Sequence, residues 1–142
     1  ACGGRRMKTH ELKLDIKYFD DVKSGKKNFE IRKNDRDFQA GDILELKAWD
    51  SSLGQYAFKE KEEKWHSYGR LADRIKAKIL NIVPADEYNN FQESVNGIPQ
   101  SIKWANSYQE TYIRTINEVL KDYFSTDRLP DGYVILGIEV VK

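Results

Sequence analysis

Period-two alternation of apolar and charged residues recurs along this chain in short segments, without the βαβ rhythm of long crossover helices that builds a doubly wound sheet. THELKL, residues 9–14, sets His10, Leu12 and Leu14 on one face against Glu11 and Lys13. NFEIR, residues 28–32, sets Phe29 and Ile31 against Asn28, Glu30 and Arg32. RIKAKILNIV, residues 74–83, sets Ile75, Ala77 and Ile79 against Lys76 and Lys78, and DILELKAW, residues 42–49, reads as a further strand. Side chains two apart share a face only in a pleated strand, so each segment is a strand candidate. YVILGIEVV closes the set with a nearly continuous apolar run.

Two helices interrupt the strands. In DIKYFDDVKSG, Asp15 is a plausible N-cap, Ile16, Phe19 and Val22 form a stripe, and Gly25 suits a left-handed C-terminal position. Farther on, Trp104, Tyr108, Tyr112, Ile116, Leu120 and Phe124 recur at helical spacing, and Ser107 with Glu110 makes a capping box. The expected strands near 9–14, 28–32, 42–49, 74–83 and 133–140, with helices near 16–24 and 105–124, give the order β-α-β-β-β-α-β. That order predicts a mixed α+β fold built on a small β-barrel. Residues 50–70 read as a charged loop with a loose hairpin.

At 142 residues, one domain can bury an adequate core unaided. Residues 1–7, which include the single cysteine Cys2, read as a tag remnant or disordered start, leaving 8–142 as one domain. A lone cysteine excludes an internal disulfide, and no apolar run has the length of a membrane span. A cytoplasmic protein is expected. Residues 1–80 carry 19 Lys/Arg against 14 Asp/Glu, whereas residues 81–131 carry 4 against 8. A basic half beside an acidic one suits a polyanion-facing side without uniform basicity. No Walker loop, zinc frame or nucleophile elbow occurs, so neither a metal nor a cofactor is expected.

The stretch GKKNFEIRKNDRDF, residues 25–38, concentrates charge around a strand. Glu30 and Arg32 share a face about 6 to 7 Å apart at their Cα atoms. Lys27 follows a glycine turn, where its stem can curl over that face. One reading is a solvated face with a cross-strand ion pair. The other is a cleft in which Lys27 and Arg32 hold a phosphate or base edge while Glu30 accepts a hydrogen bond or works as a general base. Arg36 and Lys33 would then stand at the rim. His10 is either a hydrogen-bonded histidine at the core edge or a ligand contact. Trp65 and Tyr68, beside Lys59, Lys61 and Lys64, are either stacking residues for bases or parts of an ordinary loop.

Gly25-Lys26-Lys27-Asn28-Phe29-Glu30-Ile31-Arg32 resembles GxKxxExR, the signature of the ASCH domains, which are similar to the PUA RNA-binding fold. His10-Glu11-Leu12-Lys13, the run from Phe29 to Phe38 with Gly41-Asp42, and Gly132-Tyr133-Val134-Ile135-Leu136 look like the branch described as DUF3850, common in bacterial and phage genomes. The likeness covers roughly residues 8 to 80 and 131 to 141, and residues 84–128 look like a helical insertion. It implies a PUA-like barrel with a cleft for RNA or a nucleotide-like ligand, contacted by Lys27, Glu30, Arg32, Lys33, Arg36 and His10. It also implies an alternative, a hydrolase of RNA or of N4-acetylcytidine with Lys27 and Glu30 catalytic. In that amidohydrolase group the lysine activates a threonine, and Glu30 stands in the threonine's place here, so that mechanism does not transfer intact. A third reading makes the 104–124 helix a surface for a protein partner or a dimer.

Overall fold

The computed structural model describes residues 7–59, 64–67, 71–97 and 106–141, with the side chains of 92–114 outside the description. Cys2, Tyr68 and Trp104 therefore lie outside the described residues, as do the side chains of Ser107, Tyr108, Glu110 and Tyr112. The elements run β1 (Thr9–Asp15), α1 (Ile16–Lys23), β2 (Phe29–Lys33), β3 (Ile43–Asp50), β4 (Gln55–Tyr56), β5 (Phe58–Lys59), β6 (Trp65–His66), β7 (Arg74–Pro84), α2 (Ala85–Gly97), α3 (Asn106–Phe124) and β8 (Tyr133–Val140). Among the described residues, no helix is long and apolar enough to cross a membrane.

The fold is mixed α+β. Its main sheet follows the order β1-β3-β7-β8-β2, with β4 paired to β3, and β5 and β6 make a separate two-stranded ribbon. β1 and β3 are parallel, in register from Thr9 opposite Ile43 to Asp15 opposite Trp49. β3 and β7 are antiparallel. The strand order is an open path with ends at β1 and β2, where the sequence predicts a barrel. Closure would require β1 to offer its outer backbone groups to another strand. One of them, the Glu11 carbonyl, instead accepts a 2.7 Å hydrogen bond from Arg36 Nη1. A side chain thus occupies an edge that could otherwise template further pairing.

Two compact units divide the chain: Ala1–Glu30, Asp35–Ile82 and Leu136–Lys142 form one, and Ile31–Asn34 with Val83–Ile135 form the other. In the first, alternation translates directly into burial. His10, Leu12 and Leu14 of β1, Leu44, Leu46 and Ala48 of β3, and Ile75, Ala77 and Ile79 of β7 point inward. α1 starts where Asp15 Oδ1 accepts the Lys17 amide at 2.9 Å, and it buries Phe19 and Val22. The charged loop contains the ribbon, in which Phe58 faces His66 and Lys59 faces Trp65.

In the second unit, α2 is a helix that periodicity alone misses, because its apolar residues are few. Its start is nonetheless marked: Asp86 and Glu87 occupy the first turn, where a helix favours negative charge. Asn89 of α2 is buried and clamps the backbone of Leu129, donating from Nδ2 to the carbonyl and accepting the amide at Oδ1, both at 3.0 Å. Tyr88 donates to Asn117 Oδ1 of α3 at 2.8 Å. Ile116 and Leu120 are buried, and Phe124 meets Tyr133 edge-on at 5.0 Å.

Candidate functional site

Gly25 adopts φ +83°, a left-handed conformation that costs a side-chain-bearing residue about 1–2 kcal/mol. This turn ends α1 and folds the chain back, so that the Lys27 amide donates to the Asp21 carbonyl at 2.9 Å. The Lys27 side chain then points inward. Its Nζ donates to the Phe29 carbonyl at 2.8 Å and to Glu30 Oε2 at 2.6 Å. The Tyr18 and Phe29 rings lie 5.2 and 4.6 Å from the ammonium, close enough for cation–π attraction. Lys27 and Glu30 are only 5% and 3% exposed, which bears on the solvated-face reading of this stretch alone. The pair is not a solvated surface bridge. β2 is buried on both faces from Phe29 to Ile31, so Glu30 sits inside although its alternation partner Arg32 is half-buried and Lys33 exposed.

A half-open cavity of about 390 Å³ adjoins this turn, lined by Val22, Ser24, Gly25, Lys27 and Asn28 together with Leu80, Ile138, Glu139 and Val140. Gly25 and Lys27 of the motif contribute to its wall. Glu30, Arg32, Lys33, Arg36 and His10 are not among the lining residues. Its lining combines Ser24, Lys27, Asn28 and Glu139 with the apolar Val22 and Ile138, which are both buried. This is the usual composition of a small-ligand site, in which a few polar groups orient what apolar walls desolvate.

His10 belongs to a different cluster. Its Nε2 lies 2.9 Å from Asp42 Oδ2, and its ring meets Phe38 edge-on at 4.8 Å. Asp42, 1% exposed, also accepts the Lys8 amide at 3.0 Å and the Gln39 amide at 3.1 Å. Sequence reasoning passed over Asp42, whose Gly-Asp context signals only a turn. The pairing with His10 depends on the parallel register of β1 and β3. Trp65 packs edge-on against Phe19 at 5.2 Å, with Lys59 Nζ 5.0 Å from its ring, so it is anchored to α1. Among the described residues, no group of three or more His, Cys, Asp or Glu is placed to hold a metal ion.

Fold and site together define a small mixed α+β domain with a buried lysine–glutamate pair beside a half-open cavity. Residues 9–70 match the family described as Domain of unknown function (DUF3850). The "Uncharacterized 12.9 kDa protein in GpA 3'region" of Escherichia phage P2 is 55% identical over 42 residues, 30% of this chain. The chain spans only 38% of that phage protein's length. A solved structure, "Crystal structure of hypothetical protein PH0355", aligns over 95% of this chain and 100% of its own at 21% identity and a TM-score of 0.42. The family match ends before β7 and β8, which supply Leu80, Ile138, Glu139 and Val140 to the cavity.

Proposed function

We propose that this protein is an RNA- or nucleotide-binding module of the ASCH, PUA-like kind, and that its ligand enters the cavity at the end of α1. The observation that carries this reading is Lys27. It is a buried cation at the cavity wall, held by Glu30 and reached through a glycine turn that only a left-handed residue completes. A volume of about 390 Å³ suits a nucleobase or nucleoside, and the mixed lining suits a flat apolar ring with polar edges. Glu30 faces Lys27 and does not line the cavity, which favours binding over hydrolysis: a general base must reach the proton it removes.

The test is a titration of the full chain with mononucleotides and with short single-stranded RNA. Asn28→Trp places a large side chain at an exposed position of the cavity wall, where the Asn28 carbonyl accepts from the Ile138 amide and would continue to do so. Mononucleotide binding to the wild type, abolished in Asn28→Trp with the thermal transition unchanged, is the expected result. No mononucleotide binding by the wild type, or full mononucleotide affinity in the variant, overturns the reading.

A further inference from the structure

The solvent face of the β1-β3-β7 sheet carries a pattern that folding does not require. In one row across three neighbouring strands, Lys13 stands directly opposite Lys47, and Lys47 directly opposite Arg74. Like charges in directly opposed positions destabilise a sheet, and a residue of opposite sign at any of these positions would relieve it. The neighbouring row holds Glu11, Glu45 and Lys76, and the one beyond ends on Lys78. Acids temper the field diagonally, through Lys47–Glu11 at 3.3 Å and Arg74–Glu45 at 2.6 Å, and Asp15 stands opposite Trp49.

Next to the cation row, on its other side, the same face turns aromatic. Trp49 pairs with Tyr56 across β3 and β4, both half-buried, with ring centroids 5.1 Å apart and nearly perpendicular. Lys13 Nζ lies 3.9 Å from the Trp49 ring centroid, and Lys47 Nζ lies 5.9 Å from that of Tyr56. Sheet-borne aromatics beside a line of cations supply what an unpaired nucleic-acid strand offers no other way to satisfy: rings for its bases, cations for its phosphates.

We propose that this face binds single-stranded nucleic acid, with Trp49 and Tyr56 stacking bases and Lys13, Lys47 and Arg74 meeting phosphates. The surface is separate from the cavity and shares none of its lining residues. On binding, a base takes the place of the Lys13 ammonium over Trp49, and the displaced ammonium turns to the adjoining phosphate.

The experiment follows the full chain with fluorescently labelled oligouridylate and oligodeoxythymidylate of about twelve nucleotides, against a duplex control. Single strands of either sugar should bind more tightly than duplex, and a preference for one sugar assigns the natural strand. Affinity should fall with salt at a log–log slope of about −1.5 to −2, from two or three phosphates at roughly −0.7 each. Trp49→Ala should weaken binding about 5- to 100-fold. Because that substitution also removes packing, two milder variants accompany it. Trp49→Phe retains stacking and should keep most of the affinity. Lys13→Glu, at an exposed position, should weaken binding and flatten the slope while the thermal transition stays in place.

Asn28→Trp, which fills the cavity, should leave oligonucleotide affinity unchanged, so failure of the cavity reading and failure of this one are separable. The proposal is overturned if the wild type binds no single strand at low salt or prefers duplex. It also falls if Trp49→Ala and Lys13→Glu bind like the wild type, or if Asn28→Trp alone abolishes binding.

Discussion

Lys27→Met removes an ammonium that is 5% exposed and bonded to Glu30 Oε2 at 2.6 Å, leaving most of the lysine's volume in place. The packing loss is therefore small, and the change is chiefly electrostatic. Glu30, 3% exposed, keeps its carboxylate but loses the cation that compensated it. Breaking a buried pair by deleting one partner costs about 3–5 kcal/mol, a large part of the roughly 5–15 kcal/mol that stabilises a typical domain. Replacing both members by apolar residues of similar size removes the uncompensated charge along with the pair. The double variant Lys27→Met/Glu30→Leu is therefore expected to be more stable than Lys27→Met alone. Its cost should fall short of the sum of the single costs by about 2–3 kcal/mol. Urea denaturation of wild type, the two single variants and the double variant supplies the cycle, with the slope on denaturant checked for constancy. Additive single costs, or a Lys27→Met penalty below about 1 kcal/mol, would refute the argument that the pair is a mutually compensating buried unit.

Asn89→Ala should destabilise the protein by about 2–4 kcal/mol, because it strands both the amide and the carbonyl of buried Leu129, and faster amide exchange at Leu129 would locate the loss. Asp50 should titrate below the ordinary 3.8, since the Ser52 and then the Ser67 hydroxyl donate to its carboxylate and outweigh the upward push of burial, with the Leu53 and Ser52 amides adding smaller lowering contributions. A depressed folded-state pKa means that its stabilising contribution is complete above the unfolded value and disappears as pH falls through the folded one. The stability gap between wild type and Asp50→Asn, followed by thermal unfolding across that range, should accordingly narrow in acid. A gap independent of pH would contradict the assignment.

Local chemistry made much of the first unit readable. Asp15 before Ile16 marked the start of α1, Gly25 marked the turn after it, and alternation separated the inward His10, Leu12 and Leu14 from the outward Glu11 and Lys13. The nearness of Lys27 to Glu30 was legible for the same reason, since three residues at a turn into a strand cannot be far apart. The burial of that pair was not. A period of two says which residues share a face but not whether both faces are covered, and β2 is covered on both.

Long-range pairing lay beyond any local signal. The parallel register that sets His10 opposite Leu44 spans α1 and β2, and it brings Asp42 within 2.9 Å of a ring 32 residues earlier in the chain. The cavity likewise joins the end of α1 to Leu80 and to β8, segments that no spacing rule connects. On the outer face, Lys13, Lys47 and Arg74 are unremarkable lysines and an arginine in three separate segments until strand order makes them one row beside Trp49. The sequence by itself determined the longer strands, their alternation and the two ends of α1, because caps, glycine turns and side-chain alternation act within a few residues. Which strands became neighbours, and so which charges and rings share a surface, was decided by the tertiary structure, because core burial fixes that order across the whole chain.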